Sequence, residues 1–417
     1  MSQDIITNYC RTIELHGIYA WLCDLLSLAF EEARKHKLTT FNENTYETHW
    51  PENITRLAEA ILGGYYHPSR SIAFIVHDPV IREIFAALFT DRIVHHFLHM
   101  ISGDWWDRRL ISDSYSCRKG KGGAYAISRV HRMMRQVSHN FTEPAYVIKL
   151  DLRGYFMSLP RLKLYNKVRD GLYQQFRPYF NRSAAFEIYK ICKYLWRETL
   201  LDDPVKHAER RGRLADWDDL PPEKSLFCQP PGYGIVIGNY TSQLVSNIYL
   251  DDFDRFVKYD LGYKYYGRYV DDFLIMVPVS QYERAKQDIK KMEVFLKTKE
   301  LTLHPKKRYH QSIYKGVPFL GVRIYPHCLY PSNRLQAKFD RTMHRLALGD
   351  SALSTDTVIS YIGQMKHLNG DQFVRNVFTK YGLEYELYLE AIGDAETRRP
   401  LAQIADELRT SSDFYLP

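Results

Sequence analysis

Two adjacent carboxylates, Asp271 and Asp272, stand between an aromatic-rich run and a β-branched apolar run. The flanking residues, Gly267 to Val270 before the pair and Phe273 to Val277 after it, predict a hairpin with the acidic pair at its turn. Two like charges side by side are unfavourable unless a cation neutralises them, which suits a metal site. Taken alone, an Asp-Asp pair is at least as typical of a solvated turn as of a metal site.

A third carboxylate, Asp151, follows the apolar stretch Ala145 to Leu150, which predicts a strand. A charge at that place is unfavourable unless it binds a cation, although a strand-end turn residue is the plainer alternative. Asp151 and Asp271 together would hold two Mg²⁺ ions roughly 3.5–4 Å apart, an arrangement that activates an attacking hydroxyl and steadies a leaving pyrophosphate. The carbonyl of Leu152 is a further candidate ligand, Asp272 would bind metal or support the site, and Mn²⁺ is the alternative ion.

Hydrophobic periodicity predicts the elements that must position these carboxylates. Helices are expected over most of residues 1 to about 100, including Ile81 to Leu98, and over Pro160 to about 200, Gln243 to Lys258, Ser280 to Leu301 and 330 to the end. A short strand is expected at Pro318 to Ile324, and a polar loop at 201–234. This order predicts an α+β fold in which helices cover one face of an antiparallel sheet.

Charge and composition narrow the function classes. The 417 residues are 45% hydrophobic and 14% aromatic, which is typical of a globular protein with two or three domains. The net charge is +8, and the segment Arg108 to Arg135 holds eight Lys or Arg against one acid, Asp113. A second basic segment runs from His304 to His310. Both suit a phosphate backbone, with solvated helix faces as the alternative.

The cysteines and the N-terminus bear on the compartment. The six cysteines include no CxxC pair, which argues against a zinc knuckle and a disulfide framework. No signal peptide is recognised, and the apolar stretch Ile18 to Phe30 contains Asp24 and is short for a membrane span. We therefore expect a cytoplasmic protein with no membrane partner.

Four motifs occur in the order found in reverse transcriptases, which the chain resembles over roughly residues 90 to 330. They are Arg118 to Gly122, Asp151 to Phe156, Tyr269 to Asp272 and Lys315 to Gly321. The resemblance implies a right-hand polymerase fold with fingers, palm and thumb. It divides the chain into an N-terminal helical extension (1–90), fingers with a connecting insertion (91–145 and 160–235), a palm (146–159 and 236–329) and a helical thumb (330–417).

The resemblance also implies roles for individual residues. Phe156, beside Tyr155, stands at the steric-gate position that favours deoxynucleotides, with a core aromatic as the alternative. Arg118, backed by Lys119 and Lys121, would contact the triphosphate, and Lys306 would lie near the leaving phosphate. The primer grip would comprise Phe319, Leu320 and Gly321, and further nucleic-acid contacts would come from Arg129, Arg132, Gln243, Tyr269 and Lys307.

One motif departs from the sequence common in bacterial reverse transcriptases, and this indicates which type of reverse transcriptase the chain resembles. Most bacterial reverse transcriptases carry Gln-Gly followed three residues later by Ser-Pro, whereas this chain has Ile237-Gly238 and then Ser242-Gln243. That pattern resembles the enzymes of diversity-generating retroelements. An isoleucine at 237 cannot hydrogen-bond, so base-pair geometry would be checked loosely. Gly238 would let the backbone approach the nascent pair, or is simply a turn glycine.

Other biological roles stay open. An antiphage-defence reverse transcriptase would make DNA from an associated noncoding RNA or without an ordinary template, and a third alternative is a catalytically inactive RNA-binding scaffold. The expected partners are an RNA template or noncoding RNA, dNTPs, the DNA product, and a small accessory protein or further copies in a homo-oligomer. The charged stretch Asp202 to Glu223 would grip a structured RNA or form an ordinary surface loop.

Overall fold

A computed structural model describes residues 2–35, 46–77, 80–350, 353, 355–366 and 368–383. The chain divides into two compact units. Unit 1 comprises residues 1–122, 148–275 and 283–309, and unit 2 comprises residues 123–147, 276–282 and 310–417. Helices are combined with antiparallel strand pairs, as the α+β prediction has it. The predicted division into extension, fingers, palm and thumb stays a prediction.

The secondary structure is as follows. The helices are α1 (Ser2–Arg34), α2 (Trp50–Leu62), α3 (Phe89–Asp107), α4 (Gly123–Val137), α5 (Tyr155–Ser158), α6 (Arg161–Phe176), α7 (Ser183–Leu201), α8 (Tyr240–Arg255), α9 (Tyr282–Thr298), α10 (Asn333–Ala347), α11 (Thr355–Lys366) and α12 (Asp371–Lys380). The strands are β1 (Ile72–Val76), β2 (Arg82–Ala86), β3 (Ala145–Leu152), β4 (Glu209–Arg210), β5 (Tyr265–Tyr269), β6 (Asp272–Pro278), β7 (Leu303–Ser312), β8 (Val317–Phe319), β9 (Val322–Ile324) and β10 (Leu329–Pro331).

Helix α1 begins unit 1 and is interrupted at Gly17, where φ is +86°. Its second half packs on α3 and buries Trp21, Leu22 and Phe30 almost completely. Among the described helices, the stretch Ile5–Arg34 is long and apolar enough to cross a membrane by length and composition. This helix is longer than the apolar stretch Ile18 to Phe30 that was judged short, and about a third of its most apolar window is buried in the protein, so the expectation of no membrane partner stays a prediction.

Two strands correct part of the expectation that most of the first hundred residues are helical, including Ile81 to Leu98. They form the antiparallel pair β1 and β2, in which Phe74 lies opposite Ile84. Burial alternates along β2, with Glu83 and Phe85 fully buried and their neighbours not. The predicted helical spacing fails here because a short run of apolar residues fits period 2 as well as period 3.6.

The polar loop expected at 201–234 is confirmed in the main: beyond the end of α7 the stretch contains only short turns and the two-residue strand β4, and it folds back onto β2. Its strand β4 pairs in parallel with β1. The buried carboxylate of Glu83 accepts hydrogen bonds from Trp217 Nε1 and Ser225 Oγ, both at 2.8 Å, and from the backbone N of Leu226 at 2.5 Å. These three donors satisfy a buried charge that would otherwise be strongly unfavourable.

A four-stranded sheet in the order β5-β6-β3-β7 carries the candidate site. Strand β3 and the β5–β6 hairpin follow the sequence prediction. Strand β7 was not predicted, because its basic residues mask the period of the strand; only Leu303 among its residues is buried. The helices predicted around 160–200, 243–258 and 280–301 are present as α6 with α7, α8 and α9.

Unit 2 contains α4, a three-stranded sheet in the order β10-β9-β8, and helices α10 to α12. The three helices share an apolar core that includes Phe339, Met343, Val358, Val374 and Phe378. Helix was predicted from residue 330 onward, and this is confirmed as far as Lys380. The part of the predicted thumb at 384–417 lies outside the described residues.

Candidate functional site

The acidic pair lies where the sequence predicts it, at the turn between β5 and β6. Val270 and Asp271 form the two-residue connection, and Asp272 begins β6. Val270 has a φ of +57°, which a β-branched side chain disfavours. The turn therefore takes a shape that the surrounding structure must hold, as is common at functional sites.

The side chain of Arg268 holds that turn from inside the protein. It is fully buried, and its Nη1 donates to the carbonyl of Val270 at 2.7 Å. Its Nε and Nη2 donate to the two carboxylate oxygens of Asp254, each at 2.7 Å. Nη1 and Nη2 also donate to Asn247 Oδ1 and Ser114 Oγ at 3.1 and 3.2 Å. A two-pronged buried ion pair thus fixes the backbone beside the acidic pair.

Strand order brings Asp151 to the acidic pair, because β3 lies between β6 and β7 in the sheet. The backbone N of Leu152, itself buried, donates to the carbonyl of Asp271 at 3.2 Å. From β7, Lys307 Nζ donates to both carboxylate oxygens of Asp151 at 3.0 Å. The fold therefore unites two carboxylate motifs that lie 120 residues apart in the sequence.

Burial and the nearby Asp151 raise the pKa of both carboxyls of the acidic pair. These two causes raise the pKa of Asp271 to about 6. Burial also raises the pKa of Asp272, although Lys149 Nζ lies 2.7 Å from its Oδ2 and opposes the shift. Three carboxylates face two lysines, so the cluster carries excess negative charge.

The donor chemistry of the cluster fits a hard divalent cation. Oδ1 of Asp272 is buried and accepts no hydrogen bond, and carboxylate oxygens are the ligands that Mg²⁺ takes. In the part of the chain that the structure describes, no group of three or more His, Cys, Asp or Glu side chains is arranged to hold a metal. Lys149 and Lys307 instead occupy oxygens of Asp272 and Asp151, so the metal site predicted at Asp151, Leu152, Asp271 and Asp272 stays a prediction.

Helix α5 places the predicted gate residue next to the carboxylate strand. Tyr155 is buried and its hydroxyl donates to the carbonyl of Ser246 at 2.5 Å. Phe156 is half-buried and its ring meets that of Tyr155 edge to face, with centroids 5.6 Å apart. Its carbonyl accepts from the backbone N of Ile235 at 2.9 Å, which ties α5 to the Ile237 motif.

The Ile237-Gly238 motif packs against β2. The backbone N of Phe85 donates to the carbonyl of Ile237 at 2.9 Å, and the side chain of Ile237 lies against an apolar cluster that includes Met157 and Leu226. Gly238 has a φ of +128°, and a Cβ there would lie 2.7 Å from the carbonyl O of Phe85. A glycine is required at 238 because the chain's own backbone approaches it.

Two residues that were predicted to contact nucleic acid follow the Ile237-Gly238 motif in the sequence. Gln243 is exposed in the first turn of α8. Tyr269 is half-buried at the end of β5, and burial raises the pKa of its hydroxyl. Their roles in holding nucleic acid stay predictions.

The basic residues predicted to meet the triphosphate differ in their surroundings. Arg118 is buried, with Nε donating to Asp107 Oδ1 at 2.5 Å, and with other donors on the carbonyls of Asp107, Ile111 and Ser114. Lys119 is exposed, and Lys121 Nζ donates to the carbonyl of Ser112 at 2.7 Å. This geometry favours a structural role for Arg118, whose triphosphate contact stays a prediction.

On β7, Lys306 and Lys307 are neighbours in sequence with different surroundings. The side chain of Lys307 pairs with Asp151 although it is 58% exposed. Lys306 is exposed, and its backbone N donates to His304 Nδ1 at 3.2 Å. Successive strand residues point to opposite faces, so only one of the two can face Asp151.

Unit 2 contains the predicted primer-grip turn. Phe319 pairs with Val322 across the β8–β9 hairpin, and Leu320 and Gly321 form its two-residue loop with φ of +49° and +82°. Positive φ at both loop residues is the preferred geometry of a tight hairpin. On α4 of the same unit, Arg132 is exposed and Arg129 is partly exposed.

Three side chains that support the carboxylates were not singled out from the sequence. Lys149 could have been found, because it lies two residues before Asp151 and so shares its face of β3. Arg268 stands beside the acidic pair but gives no sign of its burial. Asp254 gives none either, because its partner is reached only through the packing of α8 on β5.

Comparison with known proteins gives little beyond the geometry. No family model matches the chain, and no curated protein matches it. Among solved structures, a telomerase from Candida albicans in complex with a TWJ fragment of telomeric RNA is similar, with 11% identity and a TM-score of 0.44. The match covers 85% of this chain and 60% of the telomerase chain. A likeness at this level carries no argument about what this chain does.

Proposed function

We propose that this protein is an RNA-directed DNA polymerase. One observation carries the proposal: the β5-β6-β3 strand order brings Asp151 against Asp271, and their proximity helps to raise the pKa of Asp271 to about 6. Carboxylates held close together at the edge of a sheet, with a raised pKa, are a recurrent feature of catalytic sites. In such sites a bound cation supplies the positive charge that the protein itself lacks. The palm, fingers and thumb layout and an RNA template are part of this proposal.

Each residue of the site would have its own role in the reaction. Asp151, Asp271, Asp272 and the carbonyl of Leu152 would hold Mg²⁺, which when bound would lower the pKa of an attacking 3′-hydroxyl and offset charge on a leaving pyrophosphate. Arg268 fixes the backbone at Val270 and so the position of Asp271. Phe156 would exclude a ribose 2′-hydroxyl, and the exposed Lys306 would contact phosphate oxygens.

Primer extension on an RNA template with dNTPs and Mg²⁺ tests this proposal. We expect the wild type to incorporate dNTPs and the variants Asp151→Asn and Asp271→Asn to lose at least about a hundredfold in rate. Asp260→Asn is the matched control, because Asp260 is an exposed carboxylate of the same unit. Wild-type incorporation no greater than that of Asp271→Asn would overturn the polymerase proposal in favour of an inactive scaffold.

We further propose a low-fidelity enzyme of the diversity-generating type. The support is Ile237, whose side chain packs on an apolar cluster and offers no hydrogen bond to a base pair. Sequencing cDNA made by wild type and by Ile237→Gln tests this, with Ile237→Leu as the apolar control. Enzymes of the diversity-generating type, which the chain resembles, misincorporate chiefly opposite adenine. We therefore expect errors opposite adenine in wild type and the leucine variant, and fewer with glutamine. Equal error rates in all three would refute it, and repetitive or untemplated products would favour a defence role.

A further inference from the structure

A second groove lies apart from the acidic cluster, between α6 and α8 in unit 1. It has a volume of about 680 Å³, within the range of small-molecule sites. Helix α3 and the end of α9 complete its walls. We name it the α6–α8 groove and define it by Trp106, Lys163, Lys167, Asp251, Asp252 and Lys299. None of the three candidate catalytic carboxylates lines it.

The groove holds more cationic than anionic side chains. Its lining includes Arg109, Lys163, Lys167, Arg255 and Lys299 against Asp170, Asp251 and Asp252. Lys167 and Lys299 share a single carboxylate, that of Asp252, and Lys167 Nζ lies 2.7 Å from it. One carboxylate cannot balance two ammonium groups, so a positive charge is left over where both lysines are mostly shielded from water.

The electrostatics of individual groups agree with this geometry. Burial and the nearby Lys299 lower the pKa of Lys167, despite the pair with Asp252. Burial lowers the pKa of Arg109 as well, and Arg108 and Arg255 lower it further. The cations of the groove thus repel one another, and an anionic ligand would relieve that repulsion.

Two further polar groups of the lining have no protein partner. Trp106 Nε1 and Asp251 Oδ1 are buried without a hydrogen bond, and both residues are buried as a whole. Leaving such groups unsatisfied is unfavourable, because each has given up its hydrogen bond to water. An indole N–H can donate to a phosphate oxygen, and a carboxylate oxygen can accept from a hydroxyl or amino group.

We propose that the α6–α8 groove binds a small phosphorylated molecule of the nucleoside diphosphate type. Its phosphates would lie against Lys167 and Lys299, and a hydroxyl or amino group would donate to Asp251. A ligand of this class brings both the negative charge and the donor that the lining lacks. An RNA backbone carries the same phosphate groups. Because the size of a small phosphorylated molecule matches the volume of the groove, we assign the groove to such a molecule and not to RNA.

Calorimetry with ADP, in EDTA so that binding at the carboxylate cluster is suppressed, tests the proposal. We expect ADP to bind and adenosine not to bind. Lys299→Met should weaken ADP binding roughly tenfold or more, since one charge-assisted contact is lost. Lys193→Met, an exposed lysine of α7, is the matched control and should leave binding unchanged.

A variant with the opposite expected sign separates binding from folding. Asp252→Asn removes the carboxylate that holds both lysines, so ADP should bind more tightly than to wild type, an effect that misfolding does not produce. Wild-type affinity in Lys299→Met, or no binding of ADP at all, would overturn the proposal. So would a ten-nucleotide RNA whose binding depends on Lys299 while that of ADP does not. None of these readouts requires polymerase activity.

Discussion

Replacing Arg268 by methionine is expected to be among the most destabilising single changes in unit 1. The substitution keeps most of the side-chain volume and removes the charge that faces Asp254, which is itself fully buried. Removing one partner of a buried ion pair costs about 3–5 kcal/mol, because the other charge is left unpaired. The carbonyl of Val270 and Oδ1 of Asn247 also lose a donor, so we expect about 4 kcal/mol in the free energy of unfolding.

Urea unfolding followed by tryptophan fluorescence is a suitable assay, because all six tryptophans lie in unit 1. The double variant Arg268→Met/Asp254→Asn removes the stranded charge and should recover about 2 kcal/mol relative to Arg268→Met alone. Arg308→Met is the control, since its pair with Glu293 is partly exposed and should contribute at most about 1 kcal/mol.

The double variant also tests what the ion pair does for the site. If Arg268 positions the turn through the carbonyl of Val270, the double variant should fold and yet incorporate dNTPs more slowly than wild type. A loss for Arg268→Met no larger than that for Arg308→Met would refute the reasoning from burial. Full activity in the folded double variant would refute the positioning role while leaving the stability argument intact.

Three further changes test separate parts of the structure. Burial raises the pKa of Asp91 to about 6, so the folded state binds its proton more tightly than the unfolded state. The free energy of unfolding should therefore fall by about 2 kcal/mol more in wild type than in Asp91→Asn as the pH rises from about 4 to 7, measured by urea midpoints at both pH values; equal falls would contradict this. Gly238→Ala should cost more than Gly262→Ala in the same assay, because both have positive φ but only the first places a Cβ against a carbonyl O, and equal losses would contradict the clash. Arg118→Met should destabilise the protein by about 2 kcal/mol and Lys119→Met by less than about 0.5 kcal/mol, since only the side chain of Arg118 is buried and makes four hydrogen bonds; a stable Arg118→Met with a raised KM for dNTPs would instead support the triphosphate contact.

The parts of the fold predicted correctly are those in which local pattern decides the structure. Strand β3 and the β5–β6 hairpin each follow from a few consecutive residues. The single strand expected over Pro318 to Ile324 is wrong, because the chain turns at Leu320 and Gly321 and forms the β8–β9 hairpin. The pair β1–β2 and strand β7 were not foreseen. The residues of β1 and β2 fit both helical and strand periodicity, and those of β7 fit neither. Whether they form strands depends on neighbouring strands such as β4 and β3, which come from elsewhere in the chain.

The buried charged residues could not be predicted for a different reason. Arg268, Asp254 and Glu83 are charged residues that a sequence pattern assigns to the surface, because burying a charge is unfavourable unless the fold supplies partners. Those partners are a helix residue for Arg268, and an indole, a hydroxyl and a backbone N–H for Glu83. Only tertiary structure brings them together. Because these charged residues are shielded from solvent, a substitution at any of them leaves a buried partner without its hydrogen bond or counter-charge. Variants at such positions should therefore lower the stability of the fold more than variants at the exposed basic residues that the sequence motifs point to.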